Sequence, residues 1–192
     1  MREYPSIGYE PVEDYFFAFD KIDGQQIRGE WRRKKDGFWK FGTKTRLLRP
    51  EEHPANKAPD LIRERYGGLD GVFKKAGYQK VTCFFEFYGP QTYRGQHDPS
   101  DEYEVLLFDC WPESNGGILN PTEFVDLVGE FPRPDLLYRG RNVEELLEAV
   151  HEGTLVGLSS EGVVCKVPTP EDVQHPQFFK AKRETWKRDD HG

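Results

Sequence analysis

Phe19-Asp20-Lys21-Ile22-Asp23-Gly24 closes an apolar run, Tyr15-Phe16-Phe17-Ala18-Phe19, and opens a turn. The run has the length and aromatic content of a buried strand, so Lys21 stands at a strand end. Its amine lies beside a glycine turn, where backbone can approach a ligand closely. A solvated turn lysine followed by a hairpin glycine fits the same letters. What separates the two readings is whether the rest of the chain supplies groups that answer an amine.

The chain has 192 residues, enough for one good-sized domain with a sizeable core. Its hydrophobic fraction is 36% and its aromatic fraction 14%, so burial leans on Phe, Tyr and Trp. Charged residues make up 32% with a net charge of -7, which gives a well-solvated surface and argues against indiscriminate nucleic-acid binding. The cysteines Cys83, Cys110 and Cys165 sit in apolar, strand-like contexts without paired metal spacing. They read as reduced core thiols of a cytoplasmic protein. No signal peptide and no membrane-length apolar run is present, so no membrane partner is expected.

Outward from Lys21, residues 1 to 14 are polar and are expected to wrap the surface. Residues 15 to 49 read as strands: the run to Lys21, a segment Gln26 to Arg33, an Asp36-Gly37 hairpin turn, and a short segment Thr43 to Leu48. Helices are predicted from about Pro59 to Tyr66 and from Leu69 to Lys75, with Gly77 ending the second. Strands follow over Lys80 to Tyr88 and Tyr103 to Trp111, separated by the polar loop Gly89 to Ser100. Asn120-Pro121 starts a helix over Thr122 to Glu130, and Asn142 caps another over Val143 to His151, closed by Gly153. Strands over Gly162 to Val167 and Phe178 to Lys182 finish the chain. This mixture predicts an α+β fold of mainly antiparallel sheets flanked by helices, in a single domain spanning 1–192.

Four stretches place charge inside apolar strand patterns, where it is costly unless paired or used. They are Phe84-Phe85-Glu86-Phe87-Tyr88-Gly89, Leu106-Leu107-Phe108-Asp109, Glu161-Gly162-Val163-Val164-Cys165-Lys166 and Phe178-Phe179-Lys180-Ala181-Lys182. Each has a structural reading. Glu86 fits an outward strand position and Asp109 a strand-end cap. Glu161 and Lys166 are five apart, which puts them on opposite faces, and Lys180 and Lys182 share one face, as on a guarded edge strand.

In order, the stretches form a pattern: Lys21-Ile22-Asp23-Gly24, an arginine on the following strand (Arg28), aromatic-Glu86-aromatic-aromatic-Gly, Phe108-Asp109, Glu161-Gly-Val-Val-x-Lys166, and Lys180-x-Lys182. The ordered set resembles the covalent nucleotidyltransferases, and more closely their RNA ligase branch. The Phe85-Glu86-Phe87-Tyr88-Gly89 motif differs from the Asp-Gly-Glu found there in the DNA ligase and capping branches. Leu119 to Phe124 and Leu137-Tyr138-Arg139-Gly140 also look like RNA ligase connecting segments. The resemblance covers roughly residues 15 to 183.

The resemblance implies an ATP-grasp-like nucleotidyltransferase fold and a set of roles. Lys21 attacks the α-phosphorus of ATP, giving a lysyl-AMP phosphoramidate. Lys166, Lys180 and Lys182 act with it, neutralising phosphate charge in transfer and favouring a neutral amine by repulsion. Asp20, Ile22, Gly24 and Arg28 are assigned to nucleotide binding with the motif, and Arg46 to a phosphate of the nucleotide or of the RNA 5′ end. Glu86 accepts from the ribose hydroxyls and Phe108 stacks on adenine. Glu161 holds Mg2+ (or Mn2+), through water. Asp23 and Asp109 belong to the surrounding shell. The expected substrates are RNA ends, a 5′-phosphate and a 3′-hydroxyl, in RNA repair. With 20 residues before Lys21 and 10 after Lys182, no appended OB-fold is expected, so a helper protein or domain would grip the substrate.

Between Trp31 and Arg49 eight basic residues (Arg32, Arg33, Lys34, Lys35, Lys40, Lys44, Arg46, Arg49) face one acid, Asp36, with Trp31, Trp39, Phe38 and Phe41 interleaved. The aromatics are expected to pack into the core, and some of the cations to contact RNA phosphates. Rival readings on the same scaffold are a DNA ligase or a capping-type guanylyltransferase. A catalytically inactive nucleotide- or RNA-binding module is the rival of another class.

Overall fold

The structure is a computed structural model and describes residues 1–35, 37–92, 100–159, 161–168 and 176–185. The chain gathers into two compact units, Met1–Tyr4 with Asp23–Arg133, and Pro5–Ile22 with Pro134–Gly192. The chain therefore passes from one unit to the other within the Lys21-Ile22-Asp23-Gly24 stretch.

The first unit is built on an antiparallel sheet of β2 (Gln25–Arg32), β3 (Gly37–Gly42), β4 (Lys80–Tyr88) and β5 (Glu104–Pro112), in the order β3-β2-β4-β5. Ile27 and Trp31 of β2, Phe38 and Phe41 of β3, Val81, Cys83, Phe85 and Phe87 of β4, and Val105, Leu107 and Cys110 of β5 bury one face. That face packs on α1 (Ala58–Tyr66), α2 (Leu69–Lys75) and α3 (Pro121–Val128). Alternation then leaves Gln26, Arg28 and Glu30 beside Thr82, Phe84 and Glu86 on the other face. The start of α3 follows from its sequence. Asn120 accepts from the N–H groups of Thr122 and Glu123, while Glu123 accepts from the Asn120 N–H.

The second unit carries an antiparallel sheet of β1 (Phe16–Lys21), β6 (Leu136–Gly140), β7 (Gly162–Lys166) and β8 (Phe178–Lys182), ordered β6-β1-β7-β8. Phe16 and Ala18, Val163 and Cys165, and Phe179 and Ala181 pack against Leu146 and Val150 of α4 (Val143–Glu152). Asn142 caps α4 by accepting from the Glu145 N–H, and Gly153 at φ +74° closes it.

The α+β class and the antiparallel sheets hold, and among the described residues no helix is long and apolar enough to cross a membrane. Two local expectations are corrected. Thr43 to Leu48 is not a strand; beyond Gly42 it makes only an isolated bridge, Gly42 to Leu47. The reason lies in Arg28, 3% exposed, whose guanidinium donates to the carbonyls of Thr43 at 2.6 Å and Arg46 at 3.3 Å. Carbonyls that a ladder would use are taken by one side chain. Conversely, Leu136–Gly140 is a strand, although its partly buried residues show no apolar alternation. It is the sheet's edge, held by pairing to β1 rather than by a buried face. The expected turn residue Asp36 and most of the Gly89 to Ser100 loop lie outside the described residues.

Gly162 is fixed by close approach. Its φ is +149°, and a Cβ there would stand 2.0 Å from the Ala181 carbonyl oxygen on β8. Alanine at 162 is expected to cost about 3 kcal/mol or more, read as a fall in the unfolding midpoint. An unchanged midpoint would mean that β7 and β8 do not meet this closely.

Candidate active site

In the second unit, strand register sorts the candidate residues into rows. Lys21, Gly162 and Lys182 are paired across β1, β7 and β8; next come Phe19, Val164 and Lys180; then Phe17, Lys166 and Phe178. These rows occupy the face opposite α4, since their neighbours in each strand pack on that helix. Lys21, Lys166, Lys180 and Lys182 thus share one face, drawn from three strands. Gly162 leaves the place between Lys21 and Lys182 without a side chain, and Glu161 fills it.

Glu161, 4% exposed, accepts from Lys21 Nζ through Oε2 at 2.6 Å and pairs with Lys182 Nζ through Oε1 at 3.0 Å. Each carboxylate oxygen holds one ammonium, which offsets the cost of burying the carboxylate. Glu161 is held from several sides. The Arg183 N–H donates to the Glu161 carbonyl at 3.1 Å. Just upstream, the Ser159 N–H donates to Asp20 Oδ1 at 2.9 Å and Ser159 Oγ donates to the Lys21 carbonyl at 3.2 Å. Burial pushes the Asp20 carboxyl above its ordinary pKa, and the Ser159 hydrogen bonds oppose that. Asp20 is placed as a clasp between β1 and the segment leading to Glu161.

Lys166 is 2% exposed, with its ammonium 4.9 Å from the ring centroid of Phe19 and 5.7 Å from that of Phe178. Aromatic faces help to accommodate a buried cation. Lys180 lies over Tyr9 at 4.5 Å. Both oxygens of Glu161 are directed to Lys21 and Lys182, so its carboxylate lies with the lysine face that Lys166 shares rather than on the opposite one.

In the first unit, Gly24 begins the approach to β4: a Cβ there would lie 2.5 Å from the Phe87 carbonyl oxygen. This is a physical reason for the glycine of the motif. Ile22, the last residue of its segment of the second unit, follows β1 in sequence and is partly buried. Glu86 is cross-strand from Gln26 on β2 and from Leu106 on β5. Among the described residues the Gln26 Nε2 is buried without a hydrogen-bond partner. A buried donor left unpaired is costly, so a carboxylate and an amide side by side fit a ligand with hydroxyl or ring-nitrogen groups.

Phe108 sits at a β-bulge, because Phe84 pairs with Asp109 while Phe85 pairs with Leu107. The bulge shifts the phase of β5, so Leu107 and Cys110, three apart, both enter the core. Asp109 is accordingly inside a strand running to Pro112, not a strand-end cap. Tyr4 donates its phenol O–H to Asp109 Oδ2 and meets Phe108 and Phe84 edge-on, each at 5.0 Å between centroids. Burial, with the Asp109 charge adding to it, raises the Tyr4 phenol well above its ordinary pKa. Tyr4 and Gln26 escape sequence reasoning. Tyr4 lies in a polar leader, whereas Gln26 is detectable from the Gln26, Arg28, Glu30 alternation.

Arg28 stands differently from its expected part, whereas Arg46 stays open to it. The Arg28 guanidinium also donates to the Arg2 carbonyl at 3.0 Å, so Nε and both terminal nitrogens bond to backbone. Arg46 is 61% exposed and pairs with Glu52 at 3.4 Å. Its side chain remains accessible, and Arg28 anchors the segment that carries it.

For a metal, Glu161 presents hard carboxylate oxygens, and among the described residues no group of three or more His, Cys, Asp or Glu forms a protein cage. Mg2+ and Mn2+ suit such a site, since they complete their shell with water and phosphate oxygens. The residues therefore fit a nucleotide-borne metal.

No protein-family model matches the sequence, and no curated protein matches it. Solved structures define the class: the chain has the nucleotidyltransferase fold of the RNA ligases. It is similar to Naegleria gruberi RNA ligase with pyrophosphate, with a TM-score of 0.68 and 18% identity, covering 92% of this chain and 52% of that chain. A substituted apo form of that ligase gives a TM-score of 0.69 and 17% identity, over 98% of this chain and 60% of that one. A further variant, solved with AMP and Mn, gives 0.68 and 16% over 92% and 52%. The chain spans a little more than half the length of these solved chains.

Proposed function

We propose that the chain is an ATP-dependent RNA ligase acting through lysyl-AMP. The observation that carries this reading is Lys21 held with Lys182 on one buried carboxylate, on a strand face that also bears Lys166 and Lys180. The solved RNA ligases of the same fold carry ATP, AMP and Mn, which supports the nucleotide.

Lys21 Nζ attacks the α-phosphorus; an N–P bond forms, the bond from phosphorus to the bridging oxygen breaks, and pyrophosphate leaves. The attacking amine has to give up a proton, and Glu161 Oε2 at 2.6 Å is an acceptor already in place. Bound Mg2+ or Mn2+ would neutralise phosphate charge, held by Glu161. Lys166, Lys180 and Lys182 add fixed positive charge for the phosphate oxygens. Glu86 and Gln26 hold the ribose and Phe108 stacks on adenine, with Tyr4 steadying the ring. An RNA 5′-phosphate then takes AMP from Lys21, and a 3′-hydroxyl displaces AMP to form the phosphodiester. Arg46 serves a phosphate, and Arg28 positions the segment that bears it. RNA ends are the partners, with a helper protein or domain gripping them.

The test is incubation of the purified chain with Mg2+ and α-labelled ATP or GTP, then with labelled RNA or DNA ends. The reading expects label from ATP in preference to GTP and joining at RNA 3′-hydroxyls. Preference for GTP, or joining confined to DNA 3′-hydroxyls, would contradict it.

A further inference from the structure

Of the interleaved aromatics between Trp31 and Phe41, the core takes Trp31, Phe38 and Phe41 as expected, but not Trp39, which is 39% exposed. Its exposure is built by the backbone. On β2 and β3, Trp31 pairs with Phe38 while Glu30 pairs with Lys40, so Trp39 is the extra residue of a β-bulge. Without the bulge, Phe38 and Phe41, three apart, would point to opposite faces. With it, both are buried and Trp39 is turned outward.

The indole is also oriented. Its Nε1–H donates to Glu30 Oε1 at 3.1 Å, and Glu30 is 1% exposed and takes Arg32 Nε at 2.8 Å. Cations gather over the ring: Arg32 at 5.2 Å, Lys35 at 5.4 Å and Lys40 at 5.8 Å from its centroid. Arg33 and Lys34 are exposed beside them on the short 3-10 turn Arg33–Lys35. This cationic cluster belongs to a chain whose net charge is -7.

We propose that Trp39 is a stacking platform for an unpaired base of single-stranded RNA, with the cations around it taking the flanking phosphates. An oriented, half-exposed indole offers a face on which any base stacks, and exposed lysines can swing from ring to phosphate. An acidic peptide would satisfy the cations but leave the indole plane without a use. The choice of RNA over DNA rests on the ligase reading above; the platform itself does not. The site lies outside the residues assigned to ATP.

The experiment is a fluorescence-anisotropy titration of the full chain with a fluorescein-labelled single-stranded oligoribonucleotide across a salt series. Trp39→Ala is expected to weaken binding about 10-fold with the log–log salt slope unchanged, because a stacked base releases no counterion. Trp39→Phe should stay within about threefold of the native chain, whereas Trp39→Leu, which keeps apolar bulk without a π-face, should fall with alanine. If alanine fails to keep the native melting profile, the phenylalanine–leucine contrast carries the test. Binding by Trp39→Leu equal to Trp39→Phe would overturn the proposal, as would absence of RNA binding by the native chain. Equally tight binding of an oligoglutamate peptide, displacing the RNA, would also overturn it. The AMP adduct on the native chain is measured separately. Tryptophan-dependent RNA binding without adduct would leave the platform standing and the ligase reading not; adduct without RNA binding would do the reverse.

Discussion

Alanine at position 21 is expected to abolish transfer of label from α-labelled ATP to the protein, a loss of at least about a thousandfold. The size follows from what is removed. Lys166, Lys180 and Lys182 stay on their strands, so phosphate charge is still met, but no amine remains at the end of β1 to form the N–P bond. Stability should change little, since Lys182 at 3.0 Å still pairs with Glu161 and Lys21 is partly exposed. Lys21→Arg separates charge from nucleophile. The guanidinium keeps a cation for Glu161 yet is too weak a nucleophile, so labelling should be lost equally. Labelling retained by either variant would move the nucleophile elsewhere.

Glutamine at 161 is expected to lower labelling about 10- to 100-fold and to raise the metal concentration needed for half-maximal labelling. The amide keeps the shape of the carboxylate but removes the charge that Lys21 and Lys182 share. Removing one partner of a fully buried pair costs about 3–5 kcal/mol, and both lysines keep some contact with water. A loss of about 1–2 kcal/mol is therefore expected in denaturant unfolding. Labelling unchanged at low metal would show that Glu161 neither holds the cation nor places Lys21.

Much of the scaffold was legible because its signals are local. The turn after α2 at Gly77, the capping box at Asn120 and the cap at Asn142 each declare themselves within a few residues. The alternation Lys180-Ala181-Lys182 likewise announced a shared lysine face. What escaped depends on partners far along the chain. Thr43 to Leu48 resembles a strand until the Arg28 guanidinium claims its carbonyls. Leu136–Gly140 lacks strand patterning because it is an edge held through β1. The bulges that reset the phase of β5 at Phe108 and of β3 at Trp39 are properties of pairing, absent from either strand alone. Within the site, the order of motifs named Lys21 and Glu161 separately. Their hydrogen bond, across 140 residues, needed Gly162 to bring β7 against β8.

The most direct test is the mass of the purified full chain after incubation with ATP and Mg2+. The account predicts one AMP adduct, located on the peptide containing Lys21 and removed by pyrophosphate. No adduct, or an adduct on another residue that Lys21→Ala retains, would contradict it.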